Sequence, residues 1–326
     1  MYFNVTNDGN IYPNPNMDFV DVEYDEPLYK TINPKKLYKK IFKKLFDERH
    51  CFPNYNNYEL YTDRLLGAGS YGNVYLGYDC YNNKYVSIKQ LKLGKKFYRE
   101  IKALRAVGCS QNTLCYYDYY EDEESKIGYI MTEYINGQTL NIYMKHKIDI
   151  KVILYFFEQL INGVEFIHDH NYAHRDLKPE NIIVDNNLNL KIIDFGTTCS
   201  KHVACDLKYK NGTAEYMPPE SLSEYENFID YNNSKKLKIA KAHDIWSLSV
   251  IFYQMLNNMK LPYETYSIER NDIYQSNYES SNTKINKYLN TFINDLIVLE
   301  YKNRYDIHTI KDMFHKLFKK IKKYLY

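Results

Sequence analysis

His174-Arg175-Asp176-Leu177-Lys178-Pro179-Glu180-Asn181 is followed, thirteen positions on, by Asp194-Phe195-Gly196. An acid, a cation and an amide fall within six residues of the first segment, and a second acid lies across one short hairpin. Phosphoryl transfer asks for such a set. Asp176 can orient a hydroxyl nucleophile and take its proton, while Lys178 can neutralise charge on the moving phosphoryl group. Asn181 and Asp194 offer hard oxygen ligands to Mg2+.

Upstream, Leu66 leads into Gly67-Ala68-Gly69-Ser70-Tyr71-Gly72-Asn73-Val74, which has the form G-x-G-x-x-G-x-V. Glycines let backbone amides approach phosphates without Cβ interference. A dinucleotide-binding fold would continue into a helix. Val74-Tyr75-Leu76-Gly77-Tyr78 reads instead as a strand, which fits a loop folding over a nucleotide. Lys89, in Val86-Ser87-Ile88-Lys89, can reach phosphates from the next strand, or it is a solvated surface lysine. Glu100, in Arg99-Glu100-Ile101-Lys102-Ala103-Leu104, lies on a helical stretch and either pairs with Lys89 or faces solvent.

The periodicities divide the chain. From about 58 to 93 the runs are short and β-like; 97–107 has helical spacing; 127–134 is strand-like and is broken by Asn136-Gly137. Helices follow at 151–169, about 244–257, about 285–299 and about 307–325. A β-rich lobe before a mainly helical one is an α+β, two-lobe plan with its natural ligand site in the cleft.

Glycine loop, lysine, glutamate, His-Arg-Asp and Asp-Phe-Gly occur in one order with sensible gaps. The chain thereby resembles the eukaryotic protein kinase superfamily over about residues 58–326. The resemblance implies an N-terminal extension over 1–57 and a kinase domain over 58–326, with the N-lobe at 58–135 and the C-lobe at 136–326. It implies ATP and Mg2+ as cofactors and a protein substrate. Asp176 becomes the catalytic base, Lys178 the contact to the transferring phosphate, and Asn181 and Asp194 the metal ligands. ATP would be bound by Leu66, Gly67, Ala68, Gly69, Ser70, Tyr71, Gly72, Asn73, Val74, Lys89, Glu100, Glu133 and Ile135. Gly212-Thr213-Ala214-Glu215-Tyr216-Met217-Pro218-Pro219-Glu220 resembles the end of an activation segment. Asp244-Ile245-Trp246-Ser247-Leu248 resembles the helix whose aspartate steadies the catalytic loop, and Arg304 would be the structural ion partner of Glu220. Asp-Leu-Lys-Pro-Glu-Asn and Thr213 are the forms of serine/threonine kinases. A small-molecule kinase would normally lack the 212–220 and 244–246 segments. A scaffold pseudokinase should have lost Lys89, Asp176 or Asp194.

Several residues depart from the family pattern. Ser87 stands where alanine is usual, so its hydroxyl needs a partner and ATP affinity is expected to be weaker. Pro218 replaces an alanine, and Ser249 a glycine, where it should only perturb helix packing. Thr132 falls at the gatekeeper position, which predicts that bulky ATP-competitive inhibitors bind and that Thr132→Met weakens them. Thr139 sits where a glutamate would read substrate arginine. Arg175 beside Asp176 signals control by phosphorylation, yet the usual phosphosite is Tyr209, with Thr197, Thr198 and Ser200 nearer the metal end. The spacing from Glu220 to Asp244 is long, and the extra stretch around 232–236 is either a solvated loop or a docking element.

Composition narrows the rest. A formal net charge of +2 over 326 residues gives no case for direct nucleic-acid binding. No apolar run approaches the ~18 residues of a membrane span. The six cysteines have neither CxxC nor framework spacing and read as reduced thiols of a cytoplasmic protein. Thirty-seven tyrosines beside abundant Asn, Lys and Ile resemble the coding bias of an AT-rich genome. The source would be a large DNA virus or a protist, and in the viral case the location would be host cytoplasm or virion. Residues 1–33 read as a weakly structured arm. Residues 34–49 read as a basic amphipathic helix, and 307–325 as a second lysine-rich one. Core packing would explain Ile310, Met313, Phe314, Leu317 and Phe318 of the second but not its excess lysines. The first packs on a lobe as a brace, or the basic helices contact an anionic membrane or an acidic partner.

Overall fold

A computed structural model describes residues 2–5, 11–14, 55–69, 72–203, 205, 213–222, 231–263 and 278–325. Within the arm read as weakly structured, β1 (Tyr2–Val5) and β2 (Ile11–Asn14) pair antiparallel, Tyr2 opposite Asn14. The basic helix read over 34–49 lies outside the described residues, as do Ser70, Tyr71, Tyr209 and Gly212.

Five antiparallel strands form the N-terminal sheet: β3 (Tyr58–Gly69), β4 (Gly72–Asp79), β5 (Lys84–Lys92), β6 (Tyr116–Asp122) and β7 (Ile127–Glu133), in the order β3-β4-β5-β7-β6. Period-2 alternation buries Val86 and Ile88 of β5 with Tyr129 and Met131 of β7 in one cluster. On the other face lies α1 (Lys95–Val107), whose Phe97, Ile101 and Leu104 recur at helical spacing and are buried. The glycine stretch is the tip of the β3–β4 hairpin, Gly69 opposite Gly72. Gly72 sits at φ +134, and a Cβ there would lie 2.2 Å from the Gln90 carbonyl oxygen, so only glycine fits.

The second lobe is helical around a small sheet. β8 (Gly137–Thr139) pairs with β10 (Ile182–Asp185), which pairs with β11 (Leu190–Ile192). α2 (Leu140–Tyr143) precedes α3 (Ile150–Asp169), and β9 (Tyr172–Ala173) pairs with β12 (Cys199–Ser200). α4 (Pro219–Leu222), α5 (Asn233–Leu256), α6 (Thr283–Leu296) and α7 (Ile307–Ile321) complete it. The side chains of Asp149, Asn232, Asn282 and Asp306 cap α3, α5, α6 and α7 by accepting first-turn N–H groups. Phe157 of α3 stacks on Phe252 of α5 at 3.9 Å, with Phe292 and Phe314 edge-on to Phe157. The same apolar cluster runs up through Phe97, Leu104 and Ile130, so one core joins both lobes. Among the described residues no helix is long and apolar enough to cross a membrane.

Four expectations change. The helix expected from about 244 begins at Asn233, so the stretch around 232–236 is its capped first turn and not a loop. Leu237, Ile239 and Ala240 are buried, which explains why the chain stays helical there. The cysteines are not free thiols: Cys109 is bonded to Cys115 and Cys199 to Cys205, and no described cysteine is free. Each of these pairs closes a local turn of six-residue separation with Cα atoms 4.5 and 5.0 Å apart, a spacing that carries no framework signature. In α7, Ile310, Phe314 and Leu317 are buried, but Phe318 is 40% exposed and joins the lysines on the outer face. Ser249 does not disturb α5, because its hydroxyl donates to Ile245 O at 2.7 Å and reaches Leu296 O at 3.3 Å.

Candidate active site

Asp176 lies in the loop between β9 and β10, and the loop is held from below. Asp244, fully buried on α5, accepts the backbone N–H of His174 (2.8 Å) and of Arg175 (2.7 Å), and His168 Nε2 at 2.9 Å. Burial pushes the Asp244 carboxyl up, but the His168 bond, the neighbouring histidine rings and the Arg175 N–H hold it below the ordinary range. Arg175 is thereby kept at φ 69, a left-handed conformation costly to a residue with a Cβ. His174 Nε2 donates to Ile193 O at 2.9 Å, its ring Nδ1 accepts the Asp176 N–H at 3.3 Å, and its edge meets the buried Phe195 ring at 5.4 Å. Catalytic loop and Asp-Phe-Gly segment are thus locked together.

The Asp176 carboxylate is buried and oriented by donors on both oxygens. Asn181 Nδ2 donates to Oδ2 at 2.9 Å, and the Thr213 N–H to Oδ1 at 3.2 Å. Lys178 Nζ lies 3.1 Å from Asp176 Oδ2 and donates to Thr213 Oγ1 at 2.7 Å. Asp176, Lys178, Asn181 and Thr213 therefore form one contact set.

Lys89, on β5, donates to both oxygens of Glu100 (2.7 and 2.9 Å) and to Asp194 Oδ1 (2.8 Å). Burial pulls the ammonium down, but the two carboxylates outweigh it and hold Lys89 above its ordinary value. Burial lifts the Glu100 carboxyl, Lys89 offsets this only in part, and Asp194 adds to the rise. Burial also opposes the Asp194 charge, yet Lys89 and then His174 hold that carboxyl low. One cation shared by two carboxylates leaves an excess negative charge in the cleft, on the side where a divalent cation would offset it. Phe195 is buried and Asp194 sits at φ 62, its side chain also accepting the Gly196 N–H.

Mg2+ fits the residues present. Asn181 spends its two N–H donors on Asp176 O and Oδ2, which leaves Oδ1 for a cation. Asp194 spends Oδ1 on Lys89, which leaves Oδ2. The two segments are in register through the Ile193 N–H to Asn181 O at 2.9 Å. Two protein oxygens with phosphates and waters completing the shell is the usual Mg2+ arrangement.

The remaining predicted nucleotide contacts fall around the same cleft. Leu66, Gly67, Ala68, Gly69, Gly72, Asn73 and Val74 make the hairpin over Lys89, and among the described residues nothing beyond the chain neighbours lies within 4 Å of where a Cβ of Gly67 or Gly69 would be. Ser87 lies opposite Thr132, half-buried, so its hydroxyl is not sealed from water and the expected penalty does not arise from burial. Thr132 is buried and reaches Ser87 O at 3.5 Å. Ile135 N–H and C=O make no hydrogen bond to any described residue, an open donor and acceptor at the cleft edge. Glu133 behaves differently: its carboxylate accepts Cys115 N–H and Lys191 Nζ, so its side chain is turned from the cleft. Lys191 had no signal in the sequence beyond being a strand lysine.

Behind the site, Arg304 grips Glu220 through two bonds of 2.6 and 2.7 Å, both residues buried, and lies over Trp246 at 4.9 Å. Thr197, Thr198 and Ser200 are buried; Thr197 Oγ1 donates to His174 O, and Ser200 Oγ accepts the N–H groups of His202 and Val203. None of the three is presented as a phosphorylation site.

Comparison with known proteins agrees with this geometry. The sequence model described as the protein kinase domain matches residues 60–318. A probable serine/threonine-protein kinase of Dictyostelium discoideum is 32% identical over 218 residues, 64% of this chain and 24% of that protein. The carbon catabolite-derepressing protein kinase of Candida glabrata is 31% identical over 267 residues, 78% of this chain and 40% of its own length. A CBL-interacting protein kinase 10 of Oryza sativa subsp. japonica is 33% identical over 212 residues, covering 59% and 42%. The chain thus spans less than half the length of these relatives.

Proposed function

Since this chain belongs to the protein kinase family, we propose that it transfers the γ-phosphoryl group of ATP, with Mg2+, to serine or threonine hydroxyls of proteins. The observation that carries the reading is the unbroken contact chain Glu100–Lys89–Asp194 beside Asn181–Asp176–Lys178–Thr213. The set supports the reading because it supplies a base, a phosphate-neutralising cation and oxygen ligands for a divalent cation.

The hydroxyl of the protein substrate approaches Asp176, whose carboxylate orients it and takes its proton as the new O–P bond forms. The bond from the γ-phosphorus to its bridging oxygen breaks, and the electron pair leaves with ADP. Lys178 stays against the transferring oxygens, anchored to Thr213. Lys89, fixed by Glu100, lies under the hairpin to hold the α- and β-phosphates. Mg2+ held by Asn181 and Asp194 would neutralise phosphate charge. Ile135, with its free N–H and C=O, offers the adenine edge two main-chain partners. Preference for serine or threonine rests on the resemblance carried by Lys178 and Thr213, and their 2.7 Å contact supports it.

The test is transfer from γ-labelled ATP to casein with phosphoamino-acid analysis, using Asp176→Ala and Lys89→Met as controls. Label on serine and threonine that both variants abolish is expected. Label on tyrosine alone, or undiminished label with Asp176→Ala, would overturn the proposal.

A further inference from the structure

Most lysines on a strand edge are solvated, but Lys191 is not. It lies in β11, three residues before Asp194, with its side chain 15% exposed. Its Nζ donates to Glu133 Oε1 at 2.7 Å, Ser110 O at 2.9 Å and Thr113 O at 3.3 Å, which uses all three ammonium protons. Those three oxygens belong to two other parts of the molecule. Ser110 and Thr113 lie in the connection that follows α1, the helix carrying Glu100. Glu133 ends β7, two residues before the open main chain of Ile135.

The surroundings make the contact a junction and not a surface pair. The 110–115 connection is already stitched to β11 by Ile192 N–H to Asn112 O (2.9 Å) and Leu114 N–H to Ile192 O (3.0 Å). Glu133 is stitched to the same connection by its own N–H to Cys115 O (2.9 Å) and by Cys115 N–H to Glu133 Oε1 (2.8 Å). The Lys191 ammonium closes the triangle. It fixes the cleft-edge backbone relative to the strand that delivers Asp194 and the helix that delivers Glu100.

We propose that Lys191 is a positioning residue for nucleotide binding, acting through Glu133 to set the cleft edge against the phosphate-binding end of the site. The inference rests on the kinase reading above. Lys191 touches no part of the reacting groups, so its loss should weaken nucleotide binding and leave the chemical step alone once the site is filled. Lys191→Met keeps the aliphatic stem but strands the Glu133 carboxylate. One charge-assisted bond on this scale corresponds to about tenfold in affinity.

The experiment titrates a fluorescent ADP analogue into the full chain as wild type, Lys191→Met, Lys191→Arg, Glu133→Gln and the Met/Gln double variant. Steady-state KM for ATP, kcat and thermal unfolding are measured alongside. Lys191→Met and Glu133→Gln should each weaken nucleotide binding and raise KM about tenfold with kcat within about twofold, the double variant should be no worse than either single, and Lys191→Arg should recover part of the loss. If Lys191→Met does not fold, Glu133→Gln, which keeps the side-chain volume, carries the test. Unchanged nucleotide affinity in the folded variants overturns the inference. So does a fall in kcat and affinity that only tracks the loss of folded protein. A wild-type chain that binds no nucleotide refutes the kinase reading instead, which separates the two failures.

Discussion

Asp244→Asn changes one atom, and its effect can be worked from the bonds that atom makes. In the wild type, Oδ2 accepts from His174 N–H and His168 Nε2, while Oδ1 accepts from Arg175 N–H at 2.7 Å. An amide can serve only one of these sides with oxygen. The better orientation keeps oxygen toward His174 and His168 and turns the NH2 toward the Arg175 N–H. One charge-assisted bond is then lost, about 1.5–3 kcal/mol, and buried donors face each other, about 1–3 kcal/mol more. The expected loss is on the order of 3–5 kcal/mol, about a fifth or more of a typical domain's stability. Arg175 is the residue released, and its left-handed backbone at φ 69 is worth about 1–2 kcal/mol to relax. Relaxation rotates the next residue, Asp176, away from the substrate hydroxyl. Denaturant unfolding of wild type and variant, with kcat at saturating ATP and peptide, reads both consequences. Stability should fall by about 3–5 kcal/mol and kcat by at least about tenfold, with nucleotide affinity nearly unchanged. A stability change under about 0.5 kcal/mol with normal kcat would refute the reasoning, because the carboxylate would not then be holding the loop.

Burial pushes the His243 imidazole down to about 3, so the folded chain keeps it neutral where the unfolded chain, near 6.5, takes a proton. Stability should therefore fall as pH drops from about 6.5 toward 3, by up to about 1.4 kcal/mol per unit; His243→Gln should flatten that slope in pH-dependent unfolding, and an unaltered slope would count against it. Arg304→Met leaves Glu220 buried and uncompensated, so unfolding measurements should record a loss of about 3–5 kcal/mol, partly recovered by adding Glu220→Gln. At Gly137 an added Cβ would lie 2.1 Å from the Val184 carbonyl oxygen; Gly137→Ala should cost about 1–3 kcal/mol by the same assay, through displacement of β10.

The site was readable because its chemistry is carried by residue types that sit close in sequence or in fixed order. Asp176, Lys178 and Asn181 share one loop, and Lys89 with Glu100 stands one strand and one helix apart. Other features had no such signature. From Ile245 to Leu256, α5 is buried on all sides, so no periodicity marks its start, and its lysine-rich first turns look like a loop. Lys191 carries no motif; its role appears only when three distant segments are folded around one ammonium. Cys109–Cys115 and Cys199–Cys205 close local turns whose geometry, not spacing, brings the thiols together. Glu133 reads as a nucleotide contact in the sequence, but its side chain faces Lys191. Side-chain direction at a strand end depends on what packs behind it.

The central claim is that Asp176 and Asp194 converge on the terminal phosphate of one bound nucleotide. A crystal structure with a non-hydrolysable ATP analogue and Mg2+ tests it directly. The account predicts the metal bound to Asp194 and Asn181, the γ-phosphate beside Lys178, and the adenine on the Ile135 main chain. A nucleotide bound elsewhere, or a cleft in which Asp194 turns from Lys89 and holds no metal, would contradict it.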